Sequence, residues 1–235
     1  QLATWGDQPD GSGTSPGNFT TAGVTYIITN RATATLGAAW AVSGVGSKVQ
    51  VGDGVTTVDF TVPATFAFTG TVDVTSTGTL TLNNTTIPTF GTLDAASTVV
   101  FSAGAAQSIP GGTYGNLTVT TTTFNKTFTG AVTVAGNLTA TTTTGVITMF
   151  AGTNNVTGNL SFTTTSTGDF NTSAALNVGG NLTVTSASAT GLFTLGGNLD
   201  VNGNVTLAAT ANASSWFVPA GFQINVAGDW TVTSS

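Results

Sequence analysis

The chain has 235 residues, 40% of them hydrophobic and only 5% charged, with nine acids, three cations and a net charge of −6. Every acid is Asp, and Glu, His and Cys are absent, which excludes a Ser-His-Asp triad, disulfides and thiolate metal sites. Arg31, Lys48 and Lys126 are too few to neutralise phosphates, so no nucleic-acid partner is expected, and no apolar run reaches the roughly 18 residues of a membrane helix. About a fifth of the chain is Thr, which suits strands, whereas the strong helix formers are scarce. The composition is all-β.

Residues 1–24 are rich in Gly, Pro, Ser and Asp and read as a leader or N-terminal cap. Within them Asp7, Asp10 and Ser12 hint at an oxygen-ligand calcium loop, although their spacing is not that of an EF-hand, and a turn is the favoured reading. No other cofactor is expected. Gln1 in place of an initiator Met suggests that a signal peptide has been removed, and hence an extracellular or cell-surface location. Residues 25–114 contain alternating segments: Val49–Val51, Val58–Phe60, Phe66–Phe68, Val72–Val74 and Leu80–Leu82. They lack a recurring corner and read as irregular coils of a solenoid. Their Asp residues, Asp53, Asp59, Asp73 and Asp94, are scattered; Asp73 and Asp94 have a spacing compatible with stacking on adjacent coils. Solvated strand or corner positions are favoured over the clustered carboxylates of a polysaccharide hydrolase or lyase.

Residues 115–235 carry a repeat. GNLTV, GNLTA, GNLSF and GNLTV place Asn116, Asn137, Asn159 and Asn181 at one recurring corner; Asn204 in GNVTL and Asp229 in GDWTV continue the series. A period near 22 that drifts slightly is the signature of stacked coils. Each period reads as three short strands: one before the corner (Val132–Val134, Leu176–Val178, Leu199–Val201, Ile224–Val226), one after it (from Leu138, Leu160, Leu182 and Val205), and one announced by Gly and an aromatic or Met (Gly145–Phe150, Gly168–Phe170, Gly191–Phe193, Trp216–Phe217). Alternation within each strand gives one inward and one outward face. The expected fold is a right-handed parallel β-helix, with Leu117, Leu138, Leu160, Leu182 and Val205 aligned as a core column. At each corner Gly136 and its equivalents are expected to supply positive φ, and the Asn side chains to form an amide ladder. The N-x-[ST] sequons these Asn residues begin are read as corners rather than glycan sites.

Outward Thr rows raise the possibility of ice binding. The segments TVTTTTF, TATTTTG, SFTTTST and TVTSASA vary, however, and the expectation is that no two-rank Thr-x-Thr face persists. Trp5, Trp40, Trp216 and Trp230 are read as core or cap in preference to sugar platforms. The chain stops inside a repeat, so Trp230 and the leader with Trp5 are candidates for end-to-end self-association, with further coils of a longer chain as the rival cover for that end.

SGVGSKVQVGDG (43–54), FTGTVDVTSTGTLTLNN (68–84) and STVVFSAGAAQSIPGGTYGNLTV (97–119) together resemble the Thr- and Asn-rich repeat proteins that Bacteroidota-type bacteria export to their surface, often as type IX secretion substrates. The resemblance implies an exported surface protein and a repeat architecture, not an activity. The C-terminal sorting domain of such proteins is not visible. The expected role is a non-enzymatic surface stalk, adhesin module or filament subunit, possible partners including surface glycans, with a carbohydrate- or ice-binding solenoid as the alternative.

Overall fold

A computed structural model describes residues 5–6, 8, 12–149, 152–187, 190–209, 217–219 and 221–234. The chain is an all-β parallel solenoid that divides into two compact units, Gln1–Val100 and Phe101–Ser235. No helix occurs among the described residues.

In the first unit, strands Thr25–Ile28, Lys48–Val51, Thr71–Val74 and Thr89–Leu93 stack into one parallel sheet. Thr33–Thr35, Val58–Val62 and Gly78–Leu82 stack into a second, and Trp40–Ala41 pairs with Phe68–Thr69. The alternation expected over Phe66–Phe68 is only partly realised. Phe66 closes a turn by donating its N–H to Pro63 O, and the strand starts at Phe68. Before the first strand, Trp5 and Phe19 pack edge-on against Tyr26 and contact Trp40, so part of the leader covers the aromatic end of this unit's core.

The second unit carries the regular repeat, three parallel strands to a coil. The long strand of each coil follows the corner: Asn116–Thr121, Leu138–Thr142, Leu160–Thr164, Leu182–Ser186, Val205–Ala209 and Trp230–Ser234. Leu117, Leu138, Leu160, Leu182 and Val205 are direct partners in the ladder and are fully buried, as the repeat requires. A second column, Ile147, Phe170 and Phe193, runs up the strands after the Gly corner, with Phe170 and Phe193 stacked at 5.2 Å. Gly112–Tyr114 and Gln107–Ile109 are in register with Val132–Val134 and Lys126–Phe128 of the next coil, so the three-strand coil is already present there.

Two polar residues occupy inward positions in these columns. Asn154 takes the place of Leu176; its Oδ1 accepts the Val132 N–H at 3.0 Å and its Nδ2 donates to Gly152 O. The strand Asn154–Val156 has no counterpart in the sequence reading, because NNV hides the apolar alternation. Lys126 lies below Ile147 with no exposed surface. Its Nζ donates to Ala103 O (2.6 Å), Ala105 O (2.8 Å) and Gln107 Oε1 (2.8 Å), all of them neutral acceptors. Burial without a counter-charge pushes this ammonium down to about 8.

Candidate functional site

The corner repeat builds its geometry from three backbone-level devices. Gly136 N–H donates to Gly115 O at 2.8 Å, and Gly158, Gly180, Gly203 and Gly228 repeat the bond coil after coil. The Gly carbonyl is then engaged, and the N–H of the following Asn needs another acceptor. The side chain of the preceding corner supplies it. Asn116 Oδ1 accepts Asn137 N–H at 3.0 Å, and Asn137, Asn159, Asn181 and Asn204 accept the N–H of Asn159, Asn181, Asn204 and Asp229 at 2.8 Å each. The six predicted corner residues therefore form one column. The ladder runs from side chain to backbone, not amide to amide as the sequence suggests.

The glycine has a different role from the one expected. Positive φ is absent from Gly136, Gly158, Gly180 and Gly203. A Cβ at Gly158 would instead stand 2.6 Å from both Asn137 Oδ1 and Gly136 O, and the same overlap recurs at Gly136, Gly180, Gly203 and Gly228. Glycine is needed because the side chain of the coil below lies beneath it.

Side-chain bonds between coils form elsewhere in this unit, one from amide to amide and one from amide to carboxylate. On the outer face of the strands before the corner, Asn177 Nδ2 donates to Asn155 Oδ1 at 2.8 Å and Asn225 Nδ2 to Asp200 Oδ1 at 2.6 Å.

The outer face of the long strands overturns one expectation. The register places Thr118, Thr139, Ser161, Thr183, Thr206 and Thr231 in one rank and Thr120, Thr141, Thr163, Thr185, Ala208 and Thr233 in the next. A two-rank Thr-x-Thr face thus persists through all six strands without a register shift, with Ser161 and Ala208 as its substitutions. The variable Thr runs seen in the sequence lie beyond these ranks, in the turn. The inward Thr121 and Thr142 donate to Phe124 O and Gly145 O, and Thr164 donates to Ser166 O at 3.2 Å. By contrast, the hydroxyls of Thr118, Thr120, Thr139, Thr141, Thr163, Thr183, Thr185 and Thr206 have no protein partner among the described residues. Strand geometry spaces the groups about 4.8 Å from coil to coil and about 6.7 Å along each strand. None of the twelve positions is charged.

In the first unit the equivalent ranks read Thr33, Asp59 and Thr79, then Thr35, Thr61 and Thr81. Here Asp59 interrupts the pattern and takes a hydrogen bond from Thr81 at 3.2 Å.

Asp53, Asp73, Asp94, Trp5 and Trp40 are engaged by contacts within the first unit. Asp73 and Asp94 do not stack: Asp73 pairs with Lys48 and accepts the Thr92 N–H, at a bulge between Val72 and Val74, while Asp94 closes its own turn onto Ala96. Asp53 accepts the N–H groups of Thr56 and Val55 and the Thr29 hydroxyl. These bonds, Thr56 foremost, hold its carboxyl down at about 2. Trp5 is half-buried in the aromatic end of the first unit, and Trp40 is buried there. Trp230 stands over Val205 and is 44% exposed. Asp7, Asp10 and Trp216 lie outside the described residues, and among the described residues no cluster of three metal-ligating side chains occurs.

Comparison with protein-family models, curated proteins and solved structures finds no match to this chain.

Proposed function

We propose that the protein is a non-enzymatic extracellular solenoid that binds ice through the Thr face of its second unit. The observation that carries this reading is the pair of ranks in constant register, eight of whose Thr hydroxyls have no protein partner among the described residues. A rank of hydroxyls and methyls at constant spacing organises first-shell water, the methyls by restricting it and the hydroxyls by anchoring it. Ice presents oxygens in a two-dimensional lattice on the same scale. Thr is stiff at χ1, so the array is ordered before it meets the surface and little entropy is lost on binding. Single contacts of this kind are weak; many engaged at once give firm adsorption. The absence of charge favours a solid water surface, since a charged side chain keeps its own hydration shell. A non-catalytic role is supported by the lack of Glu, His and Cys and by the structural engagement of Asp53, Asp73 and Asp94.

Incorporation into slowly growing ice tests the proposal. The wild-type protein is expected to enter the ice, and Thr163→Lys, which raises a charged side chain in the middle of the second rank, is expected to be excluded while melting unchanged. Exclusion of the wild-type protein sinks the ice reading.

One observation favours a second reading, a surface stalk, adhesin module or filament. Trp230 and Val232 occupy inward positions above Val205 and Leu207 yet are 44% and 60% exposed. Either another copy stacked on this strand or a further coil of a longer chain would cover both. Sedimentation velocity over a range of concentrations measures the stacking of copies, and a single monomeric species throughout counts against self-assembly.

A further inference from the structure

The corner Asn residues stand two positions before the first Thr rank, so the corners at Asn116, Asn137 and Asn181 read Asn-x-Thr-x-Thr on the outward side, with Ser161 and Ala208 as the departures after Asn159 and Asn204. Asn137, Asn159, Asn181 and Asn204 are exposed. In each, Oδ1 is fixed by the backbone N–H of the next corner. Only an oxygen can accept that bond, so the other terminal atom must be Nδ2. With Oδ1 engaged by the next coil, the NH2 group is the amide's remaining donor. These four Nδ2 groups have no partner among the described residues. The column shares the coil-to-coil spacing of the Thr ranks, because both are built on the same ladder.

We propose that these carboxamides are a third rank of the binding face, a row of hydrogen-bond donors to ordered water at the ice surface alongside the two rows of Thr. This inference rests on the ice reading and assigns it additional residues. It also gives the corner Asn a purpose beyond closing the turn. A carboxylate oxygen can accept a backbone N–H as an amide oxygen does, and Asp229, at the equivalent corner before Trp230–Ser234, donates its own N–H to Asn204 Oδ1. What Asn adds is the donor pair, together with freedom from charge.

The test uses the full chain with Asn159→Asp and Asn181→Asp combined. Both substitutions keep the backbone acceptor, so the melting temperature is expected to hold while most incorporation into ice at neutral pH is lost. Acidification below the ordinary carboxyl value of about 3.9 restores an O–H donor and is expected to recover part of the binding. Thr133→Asp places a single such charge on the outer face of a different sheet, the control for Asn159→Asp alone, and is expected to bind ice as the wild type does. Full ice binding by the double variant overturns the proposal, as does a loss in Thr133→Asp equal to that in Asn159→Asp alone, which would make net charge the cause. If the double variant melts early, Asn159→Asp alone serves as the readout. A wild-type protein that enters ice, beside an inactive Thr163→Lys and a fully active double variant, leaves the Thr face standing and removes only the third rank. A wild-type protein that never enters ice removes both.

Discussion

Lys126 is the residue at which the energetics run against simple expectation. Its ammonium is buried among carbonyls and one amide, with three good hydrogen bonds but no negative charge. Its value falls from 10.5 to about 8, so between these two the unfolded chain still binds a proton that the folded chain has released. Stability therefore rises with pH across that window, and below pH 8 the full cost of the buried charge remains. Tyr114 acts in the opposite sense above its ordinary 10.0, since burial raises its phenol and only the unfolded chain ionises readily. Thermal melting as a function of pH is expected to show a rise above pH 8 and a fall beyond about 10. Lys126→Met is expected to remove the rise. A flat profile in the wild-type protein would mean that the ammonium is better solvated than its surroundings indicate.

Among the elements, the corner is the most exacting. Its glycine, the Oδ1 beneath it and the stacked carbonyls leave no room for a methyl group. Gly158→Ala is expected to force a backbone shift costing about 1–3 kcal/mol, as overpacking usually does. Gly130→Ala is the control: its nearest neighbour, Gly111 Cα, would be 3.4 Å from the new Cβ, an ordinary contact. Chemical denaturation of the two variants measures the difference. Equal midpoints would show that the corner relaxes more freely than its stacked geometry implies.

For the whole molecule, a solenoid shares its core only between neighbouring coils, so damage spreads along the stack rather than through a single centre. Leu160 touches the columns of the coils on either side, through Leu138 and Leu182. Leu160→Asp removes a buried aliphatic side chain and leaves an unpaired charge in its place, a combination that exceeds the usual 2–5 kcal/mol of a Leu truncation. Hydrogen exchange is expected to rise first in strands Leu138–Thr142, Leu160–Thr164 and Leu182–Ser186. Uniform loss of protection over the second unit would mean that its coils melt as one block.

The amino-acid sequence by itself determined the β class, the period, the three-strand coil and the identity of the core column, because alternation and recurrence are local and Leu117 through Val205 recur in phase. It also located the corner Asn residues. Only the tertiary structure decided what those residues meet. The Thr face was missed because runs such as TVTTTTF and SFTTTST look unequal when compared end to end, whereas register counted from the corner aligns their first and third residues. The corner glycine is required by an oxygen one coil below, more than twenty residues away in the chain, and not by its own φ. Lys126 and Asn154 point inward because partners in neighbouring segments, Ala103 and Val132 among them, offer acceptors and donors that no local pattern announces. Periodicity fixes which face of a strand is buried; the stacking of coils fixes which atoms are left without partners on the other face.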